Sequence, residues 1–268
     1  MKRTVLFLLA CVMVFAFAAC QTETPAPTAS DAPATAAPAE EAAYEGTYAE
    51  PLKMGTNAAF PPYEYKEGEA FKGIDVDIAT AIAEELGTTL EVVDMEFDSI
   101  IASVQQGEVN FGMAGMTVTD ERKKEVDFTA SYATGVQVVI VPEDSEIATL
   151  DDLTGKKIGT QLGTTGDSYS KSDYGEENVT SYGKGADAII ALKGGDVDAV
   201  IIDNEPAKAF VAENEGLKIL ETEYAVEDYA IAVAKDNAAL LSDLNKALEK
   251  LTADGTIDEI IAEYIKAE

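Results

Sequence analysis

Residues 115–128 read Gly-Met-Thr-Val-Thr-Asp-Glu-Arg-Lys-Lys-Glu-Val-Asp-Phe, which puts two threonines and one arginine on a tight turn that opens a short helix. Thr119 suits the N-cap, and Asp120 and Glu121 suit the first turn, where negative charge complements the helix dipole. Arg122 opposes that dipole. Held there, its guanidinium either stays solvated beside the two acids or aims its fork at a planar anion such as a carboxylate. Asp203 poses the complementary question. It ends the apolar run Ala199–Ile202 and precedes a helical stretch, so it either caps that helix or offers its carboxylate to an ammonium.

Three loops carry further candidates. Asn57-Ala58-Ala59-Phe60-Pro61-Pro62-Tyr63-Glu64 follows the first strand, and its prolines stiffen a segment that either packs Phe60 and Tyr63 or turns them toward a cleft. Met95-Glu96-Phe97-Asp98 ends the next strand, where Phe97 is either core or the second wall of an apolar slot. Gly159-Thr160-Gln161-Leu162-Gly163-Thr164-Thr165-Gly166 joins a strand to a helix, and its N–H groups can receive an anion. It is not a phosphate-binding P-loop, because no Gly-Lys-Ser/Thr follows at the required spacing. Gly183-Lys184-Gly185-Ala186-Asp187-Ala188 fits the loose pattern G-x-G-x-x-A, with Asp203 20 residues after Gly183. The strand before it is short and polar, and exported chains rarely meet nicotinamide cofactors, so no dinucleotide site is expected.

Composition removes several chemistries. The chain has no histidine and two cysteines, Cys11 and Cys20. Lys2 and Arg3 followed by apolar Val5–Ala19 form an export signal too short to span a bilayer. Phe17-Ala18-Ala19-Cys20 looks like the lipobox at which lipoprotein precursors are lipidated and cut; Leu8-Leu9-Ala10-Cys11 fits the local pattern but leaves a very short apolar stretch. Cleavage before Cys20 leaves one cysteine, so no disulfide forms within the mature chain. Histidine acid–base and cysteine nucleophile chemistry are then unavailable, and no close carboxylate pair stands out. The net charge of −31 becomes more negative by two once Lys2 and Arg3 leave, which repels nucleic acid and anionic membrane surfaces. Gln21–Ala49, rich in Ala, Thr, Pro and Glu without a hydrophobic period, reads as a disordered tether reaching roughly 30 Å.

The remaining part, from Pro51 onward, has to position these residues, and its pattern alternates short apolar strands with amphipathic helices. Strands are predicted at Leu52–Thr56, Leu90–Met95, Val109–Ala114, Val136–Val141, Lys157–Gln161, Val179–Tyr182, Ala199–Ile202, Lys218–Leu220 and Tyr229–Ala234, with a hairpin through Tyr63–Tyr65 and Phe71–Lys72. Helices are predicted at Asp75–Leu86, from an Asp98 cap to Gln106, and at Thr165–Tyr174, Ala186–Lys193, Glu205–Asn214, Ala238–Thr252 and Ile257–Ala267. Alternating βα units give mostly parallel sheets, and ligands bind outside the carboxyl ends of such strands.

Asn57–Glu64, Gly73-Ile74-Asp75-Val76-Asp77, Gly115–Phe128, the Gly159–Gly166 loop and Asp203 together resemble the amino-acid-binding proteins of bacterial ABC importers, extracellular solute-binding protein family 3, over residues 50–268. The resemblance implies an α/β, two-lobed periplasmic-binding-protein fold of type II, each lobe a mostly parallel sheet flanked by helices. Lobe one would be 50–131 plus 230–268 and lobe two 136–226, with hinge crossovers near 132–135 and 227–229. It implies that Arg122 pairs with a ligand α-carboxylate, helped by Thr117 and the Thr165 N–H, and that Asp203 and the Gly115 carbonyl hold the α-ammonium. Phe60 and Phe97 would sandwich the aliphatic part, and Asn57 and Gln161 would face the side chain. The expected protein is a monomeric receptor, lipid-anchored through Cys20 outside the cytoplasmic membrane, that delivers a free amino acid to ABC permease subunits. No cofactor, metal or catalytic residue is implied. A sensor domain and an exported dehydratase on the same fold are the alternatives. Asn57 and Gln161 neutralise no buried charge, so a neutral amide such as glutamine is the expected ligand, with basic amino acids next if Glu64, near the mouth, reaches the side chain.

Overall fold

The computed structural model describes residues 44–266. The expected export signal (1–19), Cys20 and the expected tether as far as residue 43 lie outside the described residues. The expected tether runs to Ala49, but Tyr44–Tyr48 is already bonded to the body: the N–H groups of Glu45 and Gly46 and the Tyr48 hydroxyl all donate to the buried Asp243 carboxylate, at 2.6, 2.7 and 2.8 Å. Among the described residues, no helix is long and apolar enough to cross a membrane.

In chain order the elements are β1 (Leu52–Thr56), β2 (Ala59–Phe60), β3 (Glu64–Glu67), β4 (Ala70–Lys72), α1 (Ile74–Glu85), β5 (Leu90–Asp94), α2 (Ile100–Gln106), β6 (Phe111–Gly112), α3 (Arg122–Glu125) and β7 (Val126–Pro142). Then follow β8 (Ile158–Gln161), α4 (Thr165–Tyr174), β9 (Val179–Tyr182), α5 (Gly185–Gly194), β10 (Ala199–Asp203), α6 (Asn204–Glu213), β11 (Leu217–Ile219), β12 (Ala225–Ala234), α7 (Ala238–Ala253) and α8 (Thr256–Tyr264).

The expected parallel sheets are present as the two ends of one nine-stranded sheet, ordered β5-β1-β6-β12-β7-β10-β8-β9 with β11 on β7. At one end β1 runs parallel to β5 and β6; at the other β8 runs parallel to β9 and β10. The long antiparallel pair β7–β12 joins them, with register shifts on either side of Ala230. β7 extends ten residues further back than the predicted Val136, because Thr129, Ser131, Tyr132, Ala133 and Thr134 lack an apolar period and are held by β12 rather than by burial pattern. The pairing brings the two expected crossovers side by side, Glu227 opposite Gly135 and Tyr229 opposite Ala133.

Packing follows the predicted apolar faces. Met54, Ile74, Ile78, Ile82, Leu244 and Leu248 share one core cluster under the first end, and Val139, Val141, Leu153, Ile158 and Ile201 share another under the second. One local expectation fails, and one open alternative is decided. Asp98 does not cap α2, because residues 97–99 form a 3-10 turn and the helix begins at Ile100 without a side-chain cap. Tyr63 does not face a cleft; it is buried between Phe60 and Tyr229, edge-on to the latter at 5.2 Å between ring centroids.

The start of α1 shows how a loop sets a buried charge. The N–H groups of Ile74 and Asp75 donate to the carbonyls of Pro62 and Tyr63, at 3.0 and 2.9 Å. Gly73 makes this approach possible. Its φ is 122°, and a Cβ there would sit 2.2 Å from the Tyr63 carbonyl oxygen. Carbonyls rather than side chains therefore satisfy the first turn of α1, and Asp75, a first-turn acid by sequence, is turned wholly into the interior.

Candidate ligand-binding site

A cavity lies at the carboxyl ends of the strands, lined by Asn57, Phe60, Glu64, Phe97, Ala114, Gly115, Thr117, Arg122, Gln161, Thr164, Thr165 and Asp203. All nine residues singled out for ligand contact line this one space. They come from both ends of the sheet: Asn57, Phe60, Phe97, Gly115, Thr117 and Arg122 follow β1, β5 and β6, whereas Gln161, Thr165 and Asp203 belong to β8, α4 and β10.

Arg122 is fixed from several sides. Thr119 accepts the Arg122 N–H on its hydroxyl at 3.1 Å, as an N-cap does, although the regular helix starts only at Arg122 itself. The guanidinium donates to the Thr117 carbonyl at 2.7 Å and, from across the cavity, to the Gly163 carbonyl at 3.1 Å. It stacks on Phe97, 5.3 Å from the ring centroid, so Phe97 is at once cavity wall and support for the cation. Burial lowers the guanidinium from its usual range, opposed by the charge of Glu227, but a guanidinium keeps its proton. Five N–H groups with two placed on carbonyls leave three for a ligand anion.

Asp203 stands at the N-cap position of α6 yet makes no capping bond with its side chain. It is buried instead, accepting the Tyr229 hydroxyl. Burial pushes its carboxyl up to about 7 against the pull of the Tyr229 bond. An anion held in this way is available to a cationic group in the cavity. Gly115, with φ 52°, lies against Phe60, where a Cβ would meet the ring at 3.1 Å, so the backbone reaches the cavity only because no side chain intervenes.

The side-chain candidates meet each other. Gln161 Nε2 donates to Asn57 Oδ1 at 3.0 Å and to the Gly183 carbonyl at 3.3 Å, and Asn57 Nδ2 donates to the Met95 carbonyl at 2.7 Å. Within the dinucleotide-like run, the Gly183 carbonyl accepts from Gln161, and a Cβ on Gly185 would press on Ile202 at 2.6 Å.

Three acids were missed or misplaced by sequence. Glu64, expected near the mouth, is wholly buried in the cavity lining. Asp75 lies behind Gly115, whose N–H it accepts at 2.8 Å, and also accepts the Tyr132 hydroxyl at 2.8 Å. Glu227 gathers three donors on Oε2, Thr117 at 3.1 Å, Gln137 at 3.0 Å and Thr165 at 2.9 Å. Its signal is in the alternation of β12, where Val226 points out, 64% exposed, and Glu227 points in. The acid holds the place an apolar residue would normally take.

Residues 52–267 match the model of the bacterial extracellular solute-binding proteins, family 3. The arginine-binding extracellular protein ArtP of Bacillus subtilis (strain 168) is 34% identical over 81% of this chain and 87% of its own length. The ABC transporter glutamine-binding protein GlnH of the same organism is 34% identical over 73% of each chain. A solved structure of an ancestral arginine-binding protein bound to glutamine superposes with a TM-score of 0.76 at 42% identity, covering 81% of this chain and 98% of that one.

Proposed function

This chain belongs to the bacterial extracellular solute-binding proteins, family 3, and from that premise we propose that the cavity takes one free L-amino acid and hands it to an ABC importer. The observation that carries the reading is that Arg122 and Asp203, a fixed cation and a buried acid from the two ends of the sheet, line the same cavity. A zwitterion needs both charges, and a ligand touching both ends favours the form in which they are close.

In this reading Arg122, Thr117 and the Thr165 N–H receive the α-carboxylate. Asp203 and the Gly115 carbonyl receive the α-ammonium, Phe60 and Phe97 enclose the stem, and Asn57 and Gln161 meet the side-chain end. Lobe one is 50–131 with 230–268 and lobe two is 136–226, turning on 132–135 and 227–229. The mutual pairing of those two segments, beside the register shifts in β12, supports that choice. The protein is exported, held to the membrane by a lipid on Cys20, and works as a monomer that binds rather than transforms its ligand.

Ligand charge is the point at which the structure adds to sequence. Glu64 and Asp203 line the cavity against a single lining cation, Arg122, with Asp75 and Glu227 close behind. In a low-dielectric site, that excess of acids favours a ligand of net positive charge over a neutral amide. Arginine or lysine is therefore the first choice and glutamine the second. A thermal-shift screen of the twenty amino acids tests this: the basic ones raise the melting temperature most and glutamate and aspartate not at all. A protein that responds to none of the twenty is not an amino-acid receptor.

A further inference from the structure

Glu64 and Asp75 are two completely buried acids beside the amino-acid site. Glu64, on β3, faces the cavity, and neither of its oxygens meets a donor from the protein. Asp75, in the first turn of α1, uses Oδ2 for the Gly115 N–H and the Tyr132 hydroxyl, while Oδ1 meets none. Both carboxyls are wholly buried, and the charge of Asp75 opposes ionisation of Glu64, so the pair holds one proton.

The surroundings keep that proton in place. The charged groups acting on Glu64 are Asp75 from α1 and Asp203 from the β10–α6 junction, both acids, and the hydroxyls of Tyr63 and Tyr132 complete its titratable neighbours. Burial first, and then the charge of Asp75, push the Glu64 carboxyl well above the usual carboxylate range. Burial pushes Asp75 up to about 7 against the bonds from Gly115 and Tyr132. A buried carboxyl with two unused oxygens facing a cavity that holds Asp203 is matched by a group bringing both positive charge and several N–H donors.

We propose that Glu64 is a second acidic contact of the ligand ammonium, beside Asp203, and that the entering ammonium displaces the proton shared by Glu64 and Asp75. This rests on the amino-acid reading of the cavity. The exchange balances: one ammonium enters, one proton leaves to solvent, and the net charge of the site is unchanged. No covalent bond forms or breaks apart from that O–H. Asp75 keeps its bonds to Gly115 and Tyr132 throughout, so it acts as the positioning partner and Glu64 as the contact. The ligand must then carry a free ammonium, and 2-oxo or N-acyl analogues lose both acids at once. Because a proton leaves on binding, affinity for a given amino acid rises with pH until the pair has lost its proton in the empty protein.

Calorimetric titration of the full chain with L-arginine near pH 7, in two buffers of different ionisation enthalpy, reads the proton count. The expected result is release of about one proton per ligand in the wild type and less than half of that in Glu64→Gln, with affinity in the variant lowered about tenfold and less dependent on pH. A residue that merely braces the fold would leave the proton count unchanged. Infrared difference spectra of the wild type decide the matter even where Glu64→Gln does not fold. A protonated carboxylic acid band disappears on arginine binding, and labelling glutamate carboxyls with carbon-13 shifts that band. Buffer-independent enthalpies, an unchanged proton count in Glu64→Gln, or a band that does not respond to the glutamate label would each overturn the proposal. Failure of every amino acid to bind overturns the amino-acid reading and this inference together.

Discussion

The cavity has a cationic side and an acidic side, and the two are built on opposite plans. Arg122 is pinned by two backbone carbonyls, an N-cap hydroxyl and an aromatic face, and its charge is constant at any ordinary pH. Asp203, Glu64 and Asp75 are buried among tyrosine hydroxyls, and Asp75 and Asp203 are both pushed up to about 7 by burial. One side is fixed in geometry and charge; the other is fixed in geometry but variable in charge. Affinity for the carboxylate should therefore be a constant of the molecule, whereas affinity for the ammonium should answer to pH.

The strongest way to break this contrast is Arg122→Ala. It leaves a ligand carboxylate without its partner, and affinity should fall by roughly 30- to 4000-fold, the equivalent of about 2–5 kcal/mol, while the pH dependence of what binding remains is unchanged. Calorimetry on the folded variant reads both, and a loss under about threefold removes Arg122 from the site. Arg122→Lys should also bind poorly, since an ammonium lacks the planar fork.

Asp203→Asn comes next. It should weaken binding by about 100-fold and also flatten the pH dependence of the empty protein's stability. The sign follows from the raised values. Burial pushes Asp75 and Asp203 up to about 7 in the folded chain from an ordinary value of 3.8, so between those values the folded state holds more protons. Stability from these groups is full below the unfolded value and is lost as pH rises toward 7. Asp167, lowered by its bonds to Lys171, Ser181 and Thr160 despite burial, works the other way and loses its contribution on acidification. The ligand-free protein should thus melt highest on the acid side of neutrality, and differential scanning calorimetry from about pH 5 to 8 should show a falling limb that Asp203→Asn reduces. A limb of unchanged slope in the variant would mean that Asp203 is not the titrating group.

The smallest effect expected is one of choice. Asn57 touches Gln161, away from either charged side by its bonds, so Asn57→Asp should shift preference a further fewfold, up to about tenfold, toward arginine and lysine over glutamine without moving the Arg122 or Asp203 responses. Competition titrations with the three ligands measure it, and an unchanged ratio would place the side-chain end of the ligand elsewhere.

Much of the frame was legible from residues alone. β1, β9 and α4 run where apolar pattern and turn residues put them, and the ligand candidates converge because they sit on the carboxyl ends of strands or on the segments that follow them. What was not legible depends on tertiary contact. A glutamate in a polar hairpin reads as exposed, and only the packing of that hairpin on α1 buries Glu64. Asp75 reads as a dipole-matching acid until the Gly73 approach turns it inward. Glu227 sits in a strand whose inward register was hidden because β12 begins four residues before the apolar run that announces it.

The three donors that converge on Asp243 carry a mechanical consequence. Any pull on the chain from the N-terminal side of Tyr44 reaches the α7 carboxylate before it reaches β1, since Glu45, Gly46 and Tyr48 must all let go first. The bond from the Tyr44 hydroxyl to Glu85 spreads the same load onto α1. Tension is thereby grounded in the helical back of the molecule, and β1, whose end presents Asn57, stays out of the load path.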